Sequence, residues 1–436
     1  MQSVENLYYD IFPRIVRAHH ETLITVRPRF THSQFSTAAA ESASHTYHVS
    51  FFPVEGLAGL TQWPAPQEWD VRPEQGELRV TCSFEGEQEY ILRVEGPKGE
   101  RPLKLVFHLY ALEGDLFSRR PFKGDFHMHS HRSDGKEAPG YVAASCRKIG
   151  MDFMALTDHH QYDPSLEAIA AFAGVPADLR IYPGEEVHAP GNLVHIVNFG
   201  GSFSVNERFS SPEFAEEVQA LAESLNDLPA QADRHPYAAC AWVFDQIRRG
   251  GGLGVFCHPY WISRDRSDVP GTLNDLLFER QPYDALELIG GYHRFEIDSN
   301  TLQVARYHEE RARGRRIPVV GVSDAHGCDN GSLFGWYYTV TFAPSTDLPD
   351  LVQSIKDLYS VAVEALPGEV ARSYGPFRLV RYTQFLLREV FPAHDALCQE
   401  EGRCMLAHLE GDPQAVDLLR AMSGRTARLR AHIWER

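Results

Sequence analysis

The chain has 436 residues, 43% hydrophobic and 23% charged, a globular composition that excludes a disordered or low-complexity protein and a length that implies two or three domains. Acidic residues outnumber basic ones by 59 to 42, and the formal charge of −17 argues against nonspecific or stable nucleic-acid binding. The seven cysteines are scattered without a CxxC pair, the first residues carry no basic region followed by an apolar run, and no stretch approaches the ~20 apolar residues of a membrane span, so a cytoplasmic protein without membrane contact is expected.

From about residue 20 to 117, short runs alternate apolar and polar positions, as in Thr22-Leu23-Ile24-Thr25-Val26, Tyr47-His48-Val49-Ser50-Phe51 and Leu78-Arg79-Val80-Thr81-Cys82. Glu85-Gly86-Glu87 between two such runs reads as the turn of a β-hairpin, and the whole of 1–120 as a β-rich domain, an antiparallel sandwich. Near Pro121 the pattern changes to short apolar strands alternating with helical stretches: Phe153-Met154-Ala155-Leu156 follows a helix stopped at Gly150, and Leu253-Gly254-Val255-Phe256 follows a helix ended by Gly250-Gly251-Gly252. Ala285-Leu286-Glu287-Leu288-Ile289 and Val319-Val320-Gly321-Val322 flank a polar helical segment of about 298–313. Such alternation predicts parallel strands covered by helices over 121–345, as an open sheet or a barrel. Residues 346–436 read as a mainly helical extension. Its segments 377–390 and 413–433 carry apolar residues at three- and four-residue spacing, the mark of a packing or homo-oligomerisation element.

Five places in the α/β region put histidines or carboxylates where a strand should end: Asp125-Phe126-His127-Met128-His129, Thr157-Asp158-His159-His160, Gly184-Glu185-Glu186-Val187-His188, Cys257-His258-Pro259 and Ser323-Asp324-Ala325-His326. Residues two apart on a strand project to one side, so His127 and His129 can reach the same ion, as can Asp324 and His326. One such pair is a weak signal. Five in succession, at strand ends that parallel α/β folds bring together, predict a metal cluster.

In these motifs the chain resembles the PHP (polymerase and histidinol phosphatase) family over roughly residues 121–345. The matching residues are Asp125-x-His127-x-His129-Ser130, Ser133-Asp134-Gly135, Leu156-Thr157-Asp158-His159, Gly184-x-Glu186, His195, His258-Pro259 and Ser323-Asp324-Ala325-His326. The resemblance implies an α/β fold, a distorted (β/α)7 barrel of PHP type, with a centre of two or three divalent ions that cleaves phosphate esters. It assigns His127, His129, Glu186 and Asp324 to one ion, Glu186 as bridge to a second held by His195 and His258, and Asp134, His159 and His326 to a third. It favours Glu186 over its neighbour Glu185. His131, His160, His235, His293 and His308 match no family position.

A nitrogen and oxygen ligand set without cysteine suits zinc, manganese or iron. The expected reaction is hydrolysis of a small-molecule or nucleotide phosphate mono- or diester by a metal-activated hydroxide. Asp134, His195, Asp324 and His293 are the candidate catalytic residues, with His195 or His293 protonating the leaving group. Arg132, Lys136 and Arg294, each just after a strand-end motif, are candidates for gripping the phosphate, and Tyr260 and Trp261 for stacking on the remainder of the substrate. Two other readings are an amidohydrolase-type enzyme, against which stands the lack of a strand-end lysine, and a metal-stabilised binding module without turnover.

Overall fold

The computed structural model describes residues 7–35, 46–57, 59–96, 103–228, 234–263, 265–293, 296–329 and 331–434. The architecture is mixed α/β. The chain forms two compact units, one of Met1–Arg119, Gln384–His394 and Gly424–Arg436, the other of Arg120–Thr383 and Asp395–Ser423. The segment expected as a helical extension, 346–436, is therefore shared between the two units. No helix among the described residues is long and apolar enough to cross a membrane.

In the first unit, β1 (Tyr9–Phe12), β3 (His20–Pro28) and β6 (Leu78–Phe84) form an antiparallel sheet. A second sheet runs in the order β2 (Ile15–Arg17), β8 (Lys104–Leu112), β7 (Glu89–Glu95), β4 (Tyr47–Pro53) and β5 (Gln67–Val71), antiparallel except for the β2–β8 pair. The hairpin expected across Glu85-Gly86-Glu87 does not form, because β6 and β7 lie in different sheets. The reason is that both strands turn their apolar positions into one core: Leu78, Val80, Cys82 and Phe84 from β6 meet Tyr90, Leu92 and Val94 from β7. Phe84 and Tyr90 meet edge to face at 5.0 Å, and the Tyr90 hydroxyl pins the crossing by bonding the amide and carbonyl of Gly86.

In the second unit, β9 (Arg120–Asp125), β10 (Phe153–Ala155) and β11 (Arg180–Tyr182) are parallel, and β9 continues antiparallel into β19 (Tyr337–Ala343), β20 (Ser360–Glu364) and β21 (Arg372–Tyr374). The other sheet has the order β12 (Gly184–His188), β13 (His195–Phe199), β14 (Leu253–Phe256), β17 (Ala285–Gly290) and β18 (Val319–Val322); β15 (Ile262–Ser263) and β16 (Arg266–Ser267) make a short hairpin outside it. β14, β17 and β18 are parallel as expected, but β13 runs antiparallel to both neighbours. The turn through Ala189-Pro190-Gly191-Asn192 returns the chain at once, so His188 pairs with His195. Single bridges join the sheets where strands end, Met128 to Ala325 and His159 to Glu186.

Phe126, Phe153, Val197, Phe199, Val255, Val320 and Val322 form one core cluster, and a second cluster lies under the helices Arg234–Arg249 and Gly271–Arg280. Two buried cations are neutralised from the helix Phe391–Leu409. Lys123 Nζ reaches both oxygens of Asp395 at 3.0 and 2.9 Å, and fully buried Arg147 reaches Glu401 at 2.9 and 2.7 Å. The helical pattern at 413–433 breaks into Ala415–Met422 and Arg425–Ile433 at Gly424, whose φ of 75° is the left-handed conformation that ends helices.

Candidate metal centre

The five strand-end motifs converge through backbone lacing. The Asp324 amide donates to the His127 carbonyl at 2.8 Å, and the His129 amide to the Ala325 carbonyl at 2.9 Å, so the β9 and β18 ends move as one. Asp125 helps by accepting the amide of Ser323 at 3.1 Å; burial pushes its carboxyl up to about 7. On the other side the Glu186 amide donates to the Asp158 carbonyl and the His160 amide to the Glu186 carbonyl, tying β10 to β12. The Asp158 carboxylate takes the amides of Ser130 and Ser133 and both hydroxyls, which folds the loop that presents Asp134. Gly135 closes that loop, and a Cβ there would stand 2.4 Å from the His129 carbonyl oxygen, too close for any other residue without a backbone shift. Asp324 and His258 hold φ of 51° and 25°, unusual for residues with side chains and typical of strain kept at a working site.

All nine expected ligands face one another. Glu186 is the hub: Oε1 lies 2.8 Å from His195 Nδ1 and 3.5 Å from His258 Nε2, and Oε2 lies 2.7 Å from His159 Nδ1, 3.5 Å from His129 Nε2 and 3.6 Å from His127 Nε2. Asp324 Oδ1 is 2.9 Å from His129 Nε2 and 3.2 Å from His127 Nε2. Asp134 Oδ2 is 3.3 Å from His326 Nε2 and 3.5 Å from His159 Nε2. Several triplets and one quartet, His129, Asp134, His159 and His326, have ligand atoms within 4.8 Å of one another. Donors about 2.1 Å from a shared ion stand within about 4 Å of each other, so these spacings fit divalent cations.

Two further observations test that fit. Buried polar atoms are almost always hydrogen bonded, yet among the described residues His127 Nε2, His129 Nδ1, His195 Nδ1 and both Glu186 oxygens are buried without a well-aligned hydrogen bond. The cluster is also poised electrostatically to take positive charge. Burial opposes ionisation of Glu186 and Asp324, but the surrounding imidazoles hold both carboxyls far below their usual range. Burial likewise opposes the charged form of His127, His159 and His258, yet Asp324 beside the first and Glu186 beside the others raise them, His159 to about 9. His129 goes the other way, lowered by burial despite Asp324. Protons shared among these histidines and divalent ions answer the same demand.

The neighbouring Glu185 points away and is saturated by donors, from Asn198, Ser204, Val205 and Asn206. Two residues outside the nine expected ligands stand out. His188 Nε2 lies 3.0 Å from His159 Nδ1 and its ring 3.9 Å from that of His195. Glu287, buried in the middle of β17, bonds His127 Nδ1 at 3.0 Å. The signal for it was a lone carboxylate between Leu286 and Leu288.

The ligands open into a cavity of about 300 Å³ whose lining includes Asp134, His159, His195, His258, Asp324 and His326 together with Trp261, His293, Glu296 and Leu333. Of the cations expected to grip the phosphate, Arg132 is paired with Glu167 at 2.9 Å and Lys136 with Asp329 at 2.9 Å; neither lines the cavity, because each found a nearer carboxylate on the surface. Tyr260 packs against the apolar core, leaving its neighbour Trp261 at the wall. Arg294 lies outside the described residues. His131 bonds the Glu137 carbonyl at the surface, and exposed His160 sits with its ring 4.3 Å from His188.

The fold and this cluster define a mixed α/β protein with candidate sites for divalent metal ions. No family model matches the chain. Over 53 residues it is 46% identical to the DNA polymerase/3'-5' exonuclease PolX of Bacillus subtilis, a stretch covering 12% of this chain and only 9% of that protein. Among solved structures it is similar to a two-domain protein from Bacteroides vulgatus containing a predicted PHP-like metal-dependent phosphoesterase, with 17% identity, a TM-score of 0.38 and coverage of 56% of this chain and 65% of that one. A metal-dependent phosphoesterase proposed in Bifidobacterium adolescentis gives 22%, 0.33, 48% and 89%, and an amidohydrolase from Chromobacterium violaceum 20%, 0.29, 47% and 87%.

Proposed function

We propose that this chain is a metal-dependent phosphoesterase acting on a small phosphate ester. The observation that carries the reading is the convergence of nine ligand-type side chains from five strand ends, with buried donor atoms left unbonded, on a cavity of about 300 Å³. In this reading β9, β10, β12, β13, β14, β17 and β18 make a distorted seven-stranded barrel of PHP type, joined end to end by the Met128–Ala325 and His159–Glu186 bridges, and the first unit is a β-sandwich.

His127, His129, Glu186 and Asp324 would hold one ion, Glu186, His195 and His258 a second, and Asp134, His159 and His326 a third. Bound zinc, manganese or iron would supply charge neutralisation at the phosphoryl oxygens and acidify a water. Among the described residues that line the cavity none is a lysine or arginine, so the imidazoles of His195, His258 and His326 are the chain's own contribution to balancing phosphate charge. His293, which also lines the cavity, would protonate the leaving alkoxide. Trp261 and Leu333 add apolar surface to the lining, which limits water and favours a substrate of modest size. All seven cysteines are free, five of them buried, which supports a reducing, cytoplasmic setting.

The test is elemental analysis of the purified protein followed by a panel of nucleotides, sugar and amino-alcohol phosphates, a phosphodiester, and amide and lactone controls. Phosphate release from a member of the panel, lost on chelation, is the expected result. Full metal occupancy with no phosphoester cleaved would refute the reading, and turnover of the amide or lactone instead would assign the centre to carbon chemistry.

A further inference from the structure

We propose that Glu287 is a positioning residue of the metal centre, which takes the Nδ1 hydrogen of His127 and so turns the Nε2 lone pair toward Asp324 and Glu186. This inference rests on reading the cluster as a metal centre and is independent of which ester, if any, is cleaved.

Both side chains are fully buried, and Glu287 Oε2 lies 3.0 Å from His127 Nδ1. Among the described residues that is the only hydrogen bond of the carboxylate, and Oε1 has none. Glu185 offers the contrast, since its oxygens hold down a loop; Glu287 holds a histidine and nothing else. Its strand neighbours Ala285, Leu286 and Leu288 are all buried in core clusters, where an apolar side chain would pack without the desolvation cost of a carboxylate.

The tautomer follows from the two faces of the ring. With an ion bound the imidazole is neutral and carries one N–H, which a carboxylate at Nδ1 fixes there. The unprotonated Nε2 then faces Asp324 Oδ1 at 3.2 Å and Glu186 Oε2 at 3.6 Å without a hydrogen bond of its own, an arrangement that suits an ion between them. The reverse tautomer would set a lone pair against the Glu287 charge. The strand is itself held in place. The Gln303 amide donates to the carbonyls of Glu287 and Leu288 at 3.1 and 3.0 Å, and its oxygen accepts the Tyr292 hydroxyl at 3.0 Å.

The experiment compares the full-length protein with Glu287→Gln, which keeps volume, and Glu287→Ala. Each is stripped and titrated with Zn²⁺, and separately with Mn²⁺, against a chromophoric chelator. Urea unfolding is followed in parallel, and ring-nitrogen NMR is read on the stripped proteins, with His127→Asn assigning the signal. A positioning role predicts roughly 10- to 100-fold weaker affinity for an ion in both variants. It also predicts a downfield, slowly exchanging Nδ1–H proton for His127 in the parent protein that moves upfield or is lost in Glu287→Ala. Unchanged affinity in folded Glu287→Gln, or a lower urea midpoint with unchanged affinity, would overturn the proposal. Failure of the parent protein to release phosphate would refute the esterase reading while leaving these titrations fully readable.

Discussion

Adjacent glutamates on β12 should fail in opposite ways when removed. Glu185 accepts from Asn198 Nδ2 at 3.1 Å, Ser204 Oγ at 2.8 Å, Val205 N at 2.5 Å and Asn206 Nδ2 at 2.9 Å, all in the interior or at its edge. Truncation to Ala strands four donors, each worth about 1–3 kcal/mol if unsatisfied. Water entering the vacated space recovers part of that, so Glu185→Ala should cost about 3–5 kcal/mol. Among the described residues Glu186 accepts no well-aligned hydrogen bond at either oxygen, and the imidazoles it faces can shed their protons once its charge is gone. Glu186→Ala should therefore cost the stripped protein about 1 kcal/mol or less. The assay is urea unfolding of chelator-stripped protein plus elemental analysis of the metal-loaded form. With an m value of about 3 kcal/mol/M, Glu185→Ala should lower the midpoint by about 1 M or more and keep its ions. Glu186→Ala should keep the midpoint and lose them. Metal retained by Glu186→Ala, or lost by Glu185→Ala at an unchanged midpoint, would refute the assignment of the hub.

Glu401→Leu should destabilise by about 3–5 kcal/mol, since it leaves the fully buried Arg147 guanidinium without its carboxylate; thermal unfolding reads this, and a shift near zero would show that Asp152, 3.5 Å from Arg147, suffices alone. In the first unit, His108 is raised by its bond to Glu89 at 2.6 Å, against burial. Because the folded pKa exceeds the unfolded one, the pair's contribution is whole below about pH 6.5 and fades as pH rises through the folded value. The stability gap between the parent and His108→Phe should narrow from pH 6 to pH 9, and a gap independent of pH would refute it.

The convergence of the candidate ligands was legible because each motif couples a strand-length apolar run to histidines or carboxylates, and strand ends gather in folds of this kind. What the sequence hid is also physical. The reversal of β13 rests on a four-residue turn whose outcome depends on the pairing of Val187 with Ile196 and of His188 with His195, distant from any periodic signal. The run Ser360-Val361-Ala362-Val363-Glu364 is a fully buried strand whose five residues are too few to outweigh the helical patterns around it. Arg132 and Lys136 follow the motifs in sequence, but direction is set by the nearest carboxylates, Glu167 and Asp329, which linear spacing does not reveal. Glu287 was a visible anomaly in an apolar strand, and only the approach of His127 from 160 residues away gives it meaning.

The pairing of Lys123 with Asp395 and of Arg147 with Glu401 has a consequence for biosynthesis. A ribosome delivers both cations long before these helix carboxylates, and Arg147 has only Asp152 at 3.5 Å to offset it meanwhile, so the α/β core emerges carrying charge that it cannot yet fully neutralise. Until the helix Phe391–Leu409 is made, Lys123 and Arg147 must remain hydrated, and that keeps the nascent sheet open at β9. A fragment cut at residue 345 would stay in this state permanently, as a target for chaperones and proteases. Emergence of the helix Phe391–Leu409, and not completion of the metal-ligand motifs, is then the event that lets the centre form.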